Sequence, residues 1–248
     1  MISNYGVGVD HIDLDEAAKR AVPVKNTPGI LDGATADMAF CLLLATARRL
    51  AEGHRYATGP DFKQLDPSFI VGHEIHGKTL GILGMGRIGY QIARRASGFD
   101  MPVLYHNRNR RPEREAELGA KFVELSVLLA QSDFVVVSVP LSRDTKNMIG
   151  AKELAAMKSS SFLINIARGE IVDHNALVDA LREGAIAGAG LDVTDPEPLP
   201  RDHPLLDFDN VVLTPHLGSA TIQTRRRMAE LACENLLSGL GLQRGTED

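Results

Sequence analysis

The chain is expected to fold as a doubly wound α/β protein, a parallel sheet with helices on both faces. Three observations lead there. From residue 79 onward, short apolar and β-branched runs alternate with helical patterns. The runs are apolar throughout rather than alternating, as in strands buried on both faces. The first of them, Leu80-Gly81-Ile82-Leu83, leads straight into Gly84-Met85-Gly86-Arg87-Ile88-Gly89, a G-x-G-x-x-G at a strand-to-helix junction.

Taken in order, Asp13 and Asp15 read as turn and helix-start residues. Residues 35–52 read as one helix, with Met38, Cys41, Leu42 and Ala45 on one face and apolar residues on most others. Such a helix is buried within the chain or against a partner, and Arg48 and Arg49 suit its carboxyl end. Residues 58–77, rich in Gly, Pro and Asp, form a long irregular connection of the functional or interfacial kind. Strands are expected at 79–83, 102–106, 121–123, 134–139, 162–166, 188–193 and 210–214. Helices are expected at 87–97, 114–118, 126–131, 151–157 and 175–183. A last helix over 222–237 carries Met228, Leu231, Ala232 and Asn235–Leu236 along one stripe.

Composition narrows the class. The 248 residues suffice for one large α/β domain or one domain with part of another. A hydrophobic fraction of 44% and a charged fraction of 24% are those of an ordinary soluble protein. The net charge of -5 argues against non-specific nucleic-acid binding. The longest apolar run, residues 38–45, is about half a bilayer span. No secretory signal opens the sequence, which points to a cytoplasmic protein with no membrane partner. Cys41 and Cys233 read as two buried thiols in a reducing cytosol. His73-Glu74-Ile75-His76 is not H-E-x-x-H, because Gly77 stands where the second histidine would be, so no metal is expected. No serine lies in a G-x-S-x-G elbow, so hydrolase chemistry is unsupported.

In the glycine-rich loop, Gly84 allows the tight turn, Gly86 lets a pyrophosphate approach the backbone, and Gly89 lets the helix pack against the sheet. Arg87 and Ile88 open that helix, whose unpaired N–H groups and partial positive charge suit phosphate. The competing reading is an ordinary glycine turn.

Three further segments follow strand ends: Ala167-Arg168-Gly169-Glu170, Leu191-Asp192-Val193-Thr194-Asp195-Pro196-Glu197-Pro198-Leu199-Pro200, and Thr214-Pro215-His216-Leu217-Gly218-Ser219-Ala220. With the glycine-rich loop, they resemble the D-2-hydroxyacid dehydrogenase family over essentially the whole chain. Within it they are most similar to glyoxylate/hydroxypyruvate reductases, through Asp-Pro-Glu-Pro-Leu-Pro and His-Leu-Gly-Ser-Ala-Thr. The resemblance implies a Rossmann-type oxidoreductase that passes a hydride from a nicotinamide cofactor to a small 2-oxo acid. It makes Arg168, Glu197 and His216 the catalytic set. His216 would give the carbonyl oxygen its proton, Glu197 would orient the imidazole, and Arg168 would fork onto the substrate carboxylate. Taken singly, His216 reads equally as a loop histidine, Glu197 as a solvated turn residue and Arg168 as a strand-end charge. The resemblance also places Ile166 and Asp192 at the cofactor and Ser219 at the substrate. As a sheet-end aspartate, Asp192 reads equally as a cap for backbone groups.

Asn4–Ile12 resembles the last strand and loop of the family's substrate lobe, where Val7 and Gly8 offer N–H groups to the substrate carboxylate. The expected division is therefore 1–26 as a remnant of that lobe, 27–216 as the NAD(P)-binding domain, and 217–248 as a helix returning to the lobe. Most of the lobe is absent before Met1, which leaves a second reading open. That reading is a weakly catalytic or non-catalytic NADP-binding module acting through dimerisation or partner binding.

An NAD enzyme usually carries an acidic residue at the end of the second strand. Here the chain reads His106-Asn107-Arg108-Asn109-Arg110-Arg111. Arg108 with Arg110 or Arg111 suits a 2′-phosphate, so NADP(H) is the expected cofactor, with NAD(H) possible. The alternative is a solvated basic stretch balanced by Glu113, Glu115 and Glu117. Pro140 is placed beside the adenine by the resemblance, or is a strand terminator. The apolar helix around residues 38–45 and the loop after it resemble the family's dimer-forming elements, which implies a homodimer.

Overall fold

The computed structural model describes residues 1–242. Seven parallel strands make the main sheet: β3 (Leu80–Leu83), β4 (Val103–His106), β5 (Lys121–Phe122), β6 (Phe134–Val137), β7 (Phe162–Asn165), β8 (Gly188–Leu191) and β9 (Val211–Leu213). Their order is β5-β4-β3-β6-β7-β8-β9. β3, β6, β7 and β8 are buried at every position, which explains why their sequences are apolar apart from Asn165 at the end of β7.

Both faces are covered. On one side, α2 (Asp32–Ala47) and α4 (Arg87–Ala96) pack Leu42, Leu43 and Ile92 against Ile82, Val136 and Ile164. On the other, α6 (Leu125–Gln131), α7 (Ala151–Ala155) and α8 (His174–Arg182) pack Leu128, Leu154 and Leu177 against Val135, Leu163 and Ala189. The alternation of strand faces sends successive residues to opposite layers, so each strand feeds both cores. α5 (Pro112–Leu118) follows β4, with proline in its first turn.

The register decides where function can sit. His106, Leu83, Val137, Asn165, Leu191 and Leu213 lie side by side in one row across the sheet. The segments after each strand therefore emerge along a single rim. The chain order reverses between β3 and β6, which opens a crevice there.

Residues 1–26 form a small annex. β1 (Ile2–Ser3) pairs in parallel with β2 (Val24–Lys25), and α1 (Leu14–Lys19) joins them. Asp13 caps α1 by accepting from the Glu16 N–H. The annex leans on α9 (Ile222–Gly239): the Ser3 hydroxyl donates to Ala232 O at 2.8 Å, and Asn235 Nδ2 donates to Asn26 O at 3.0 Å. The last six residues of the expected 217–248 segment lie outside the described residues.

Two expectations are corrected. The helix expected over 35–52 is two helices: α2 ends at Ala47, Arg49 takes a left-handed φ of 51°, and α3 (Leu50–Thr58) starts anew. The break tips α3 away from the core, and none of its residues is buried. The two cysteines are exposed, not buried. Cys41 lies on the outward side of α2, opposite the face that packs on the sheet, and Cys233 lies on the outer side of α9.

Candidate active site

Gly84 takes a φ of +101° directly after β3, and an added Cβ would stand 2.8 Å from the backbone of Ser138. Gly89 runs so close beneath the turn that a Cβ would lie 2.0 Å from Gly84 O. Gly86 is different: nothing lies within 4 Å of its missing Cβ, and it faces the main cleft. The first helical bond of α4 runs from the Tyr90 N–H to Gly86 O, so the N–H groups of Arg87, Ile88 and Gly89 precede it. A backbone bare of side chain at the mouth of an open helix end fits a dinucleotide pyrophosphate. The turn is braced from three sides. Ser138 Oγ donates to Gly84 O at 2.7 Å, Asn107 Oδ1 accepts from the Met85 N–H at 2.6 Å, and the Arg114 guanidinium donates to Met85 O and Gly86 O.

Farther along the rim, fully buried Asn165 ties the end of β7. Its Oδ1 accepts from the Ala167 N–H and its Nδ2 donates to Arg168 O, at 3.0 and 2.8 Å. That bracing aims Arg168 into the cleft. After β8, Asp192 is 1% exposed, and its carboxylate accepts from Thr214 Oγ1, the Leu217 N–H and the Gly218 N–H at 2.6–2.7 Å. Its backbone carbonyl accepts from the His216 N–H at 2.9 Å. Asp192 thus holds both flanks of the loop that bears His216.

His216 itself has a left-handed φ of 55°. Its Nδ1 lies 2.7 Å from Glu197 Oε1, with both side chains partly exposed at 46% and 41%. Behind Glu197, His174 is buried and its Nδ1 contacts Asp195 O at 2.9 Å. Burial pushes the His174 pKa down, so its ring is neutral near pH 7.

The facing wall comes from the annex. Asn4 Nδ2 donates to Gly6 O and Gly8 O, and Asn26 Nδ2 donates to Val7 O, which folds residues 6–8 into the cleft. Between wall and rim lies a cavity of about 1630 Å³, large enough for a dinucleotide with a small acid.

Of the residues singled out from sequence, Val7, Gly8, Gly86, Arg87, Ile88 and Pro140 line this cleft. So do Ile166, Arg168, Asp192, Glu197, His216 and Ser219. Gly84 and Gly89 sit beneath it and shape the turn. Asn107 is turned to the glycine loop, while Arg110 is clasped by Glu115 through bonds of 2.7 and 2.6 Å. Arg108 is exposed and makes no ion pair among the described residues. No group of three or more His, Cys, Asp or Glu among the described residues could hold a metal ion, and no described helix is long and apolar enough to cross a membrane.

Residues 40–218 match the D-isomer specific 2-hydroxyacid dehydrogenase, NAD binding domain, family. The chain belongs to that family. It is an NAD(P)-dependent hydroxyacid dehydrogenase with a Rossmann-type domain. It is 51% identical over 242 residues to a glyoxylate reductase of Pyrococcus horikoshii, an alignment covering 96% of this chain and 72% of that protein. Its fold matches a protein from Thermus thermophilus with a TM-score of 0.90 and 49% identity, over 96% of this chain and 75% of the other. It also matches an NADPH-dependent glyoxylate/hydroxypyruvate reductase from Sinorhizobium meliloti, solved with NADP and malonate. There the TM-score is 0.87 at 38% identity, over 96% of this dehydrogenase and 73% of that chain.

Sequence reasoning passed over Asp10, Asn165 and Arg114. Asp10 stands two residues after Gly8, and a carboxylate that near a turn expected to meet the substrate carboxylate was the available signal. Asn165 is the one polar residue in an otherwise apolar strand, which marks a buried brace. Arg114 lay within the basic stretch and carried no separate signal.

Proposed function

We propose that this dehydrogenase reduces a small 2-oxo acid, glyoxylate or hydroxypyruvate, to the 2-hydroxy acid with NADPH. The observation that carries the reading is the His216 Nδ1 to Glu197 Oε1 bond in the same cleft as Arg168 and Gly86. With Nδ1 engaged by the carboxylate, Nε2 is the nitrogen that gives its proton to the carbonyl oxygen. Glu197 compensates the imidazolium charge and fixes the ring plane. Arg168, with the N–H groups of Val7 and Gly8, binds the substrate carboxylate, and Ser219 borders the same space. A nicotinamide dinucleotide held by the Gly84–Gly89 loop and the rim after β7 would supply hydride chemistry beside these residues. Residues 1–26 and α9 act as the substrate-facing part, and residues 27–216 as the cofactor-binding part.

Arg108 and Arg111 are the arginines available to a 2′-phosphate after β4, since Arg110 is occupied by Glu115. The absence of an acid after β4 supports the same preference. Exposed Phe62, Leu65, Phe69 and Val71 along the connection after α3 suit burial against a second copy of the chain.

Steady-state oxidation of NADPH and NADH with glyoxylate and with hydroxypyruvate tests the proposal. Turnover is expected with both acids, favouring NADPH, and His216→Asn is expected to lower kcat by about 10²–10⁴-fold. Equal or better turnover with NADH overturns the cofactor preference. Cofactor binding without turnover favours the non-catalytic module.

A further inference from the structure

Arg168 is held on three sides. Its Nε donates to both carboxylate oxygens of Asp10, at 3.1 and 3.0 Å. Its Nη1 donates to Ala167 O at 2.7 Å. Its Nη2 lies against Gly8, where an added Cβ would stand 1.7 Å away. The side chains of Asp10 and Arg168 are 24% and 26% exposed, although Asp10 as a whole residue lies at the surface. Burial raises the Asp10 pKa, but the hydrogen bond and charge of Arg168 outweigh it. The carboxyl stays below its ordinary range and is ionised throughout the neutral region.

We propose that Asp10 is a positioning residue for substrate capture. It grips the Nε side of Arg168, so that the guanidinium is already aimed when the carboxylate of a 2-oxo acid enters beside Gly8. The inference rests on the reading of Arg168 as the carboxylate-binding group. A long flexible side chain held beforehand loses less freedom on binding than one that must be caught. The guanidinium has five donors, so it can serve Asp10 and a substrate carboxylate together. Gly8 completes the arrangement, because any side chain there would displace Nη2. The same bond joins the annex to the β7 rim, 158 residues apart in sequence. It therefore also sets the distance between the two walls at the point where the acid binds.

Asp10→Ala and Asp10→Asn, compared with the unaltered chain, test this. In Asp10→Ala, KM for glyoxylate is expected to rise about tenfold while kcat changes less than about threefold and the Kd for NADPH stays constant. Asp10→Asn keeps one acceptor for Nε and is expected to recover part of that KM. A second measurement needs no turnover: the Arg168 Nε–H resonance, identified by its loss in Arg168→Lys, exchanges slowly with water in the unaltered chain and fast in Asp10→Ala. An unchanged or lower KM in Asp10→Ala overturns the proposal. So does a rise in KM matched by equal losses in cofactor affinity and thermal midpoint, which would make Asp10 merely structural. Fast exchange of Nε–H in the unaltered chain overturns it whatever the activity. A slowly exchanging Nε–H in a chain that reduces no 2-oxo acid supports the Asp10 grip and defeats the proposed function instead.

Discussion

On one side of the cleft, the loops after β7 and β8 are pinned by buried polar side chains; on the other, residues 1–26 rest on a pair of two-residue strands and a few bonds to α9. Asn165 is fully buried and Asp192 nearly so, and each satisfies two or more backbone partners. Within residues 1–26, all of them described, Ala17 alone is buried. The annex is held by the Ser3, Tyr5 and Asn235 bonds to α9 and by the Asp10–Arg168 pair to the rim, all in partly or fully exposed surroundings. The contrast separates two tasks. Under the proposed function, groups that move a proton need fixed geometry, and the rim that would carry them is costly to deform. A wall that admits and releases an acid is better attached by bonds that open at small cost.

The largest expected effect breaks the rigid side. Asp192→Ala strips acceptors from the Thr214 hydroxyl and two backbone N–H groups, and is expected to cost about 3 kcal/mol of stability. Urea unfolding measures it, and kcat should fall with it because the His216 loop loses its anchor. A stable variant with normal kcat would show that the rim does not depend on this carboxylate. Asn235→Ala probes the other side. Losing one partly exposed bond is expected to cost about 1 kcal/mol or less, raising KM for the acid while leaving kcat and cofactor affinity alone. An equal fall in kcat would erase the distinction between the two walls.

The smallest effect sharpens the picture at the outer end of the rim. Arg110 and Tyr105 hold the Glu115 pKa down to about 2. A depressed carboxylate stabilises above its unfolded value, near 4.5, and loses that contribution as pH falls through about 2. The gap in thermal midpoint between the unaltered chain and Glu115→Gln should therefore be full at pH 6 and shrink on acidification through that window. A gap independent of pH would mean the Arg110 clasp is not electrostatic.

Most of the sheet was legible because β3, β6, β7 and β8 are buried on both faces, which favours apolar sequence at all of their positions but Asn165. Strand ends were overrun by a residue or two at Ile166 and Val193, which are apolar yet lie past the ladder and pack into the rim. The α2–α3 break was invisible because it turns on a left-handed arginine, a conformation that no local pattern announces. The facing of Cys41 was equally hidden: a helix apolar on every side does not reveal which side meets the sheet. In the site, glycine spacing and strand-end motifs were readable locally. The Asp10–Arg168 contact was not, because it joins residues 158 positions apart in the sequence.

The left-handed backbone at His216 bears on how its replacement is interpreted. Alanine in that conformation carries a steric penalty of about 1 kcal/mol, whereas asparagine visits it readily. Under the proposed role of His216, a histidine-to-alanine exchange therefore mixes a lost proton donor with a distorted loop. Asparagine keeps the turn while removing the imidazole and its bond to Glu197, so the difference between the two variants measures how much of the loss comes from the loop.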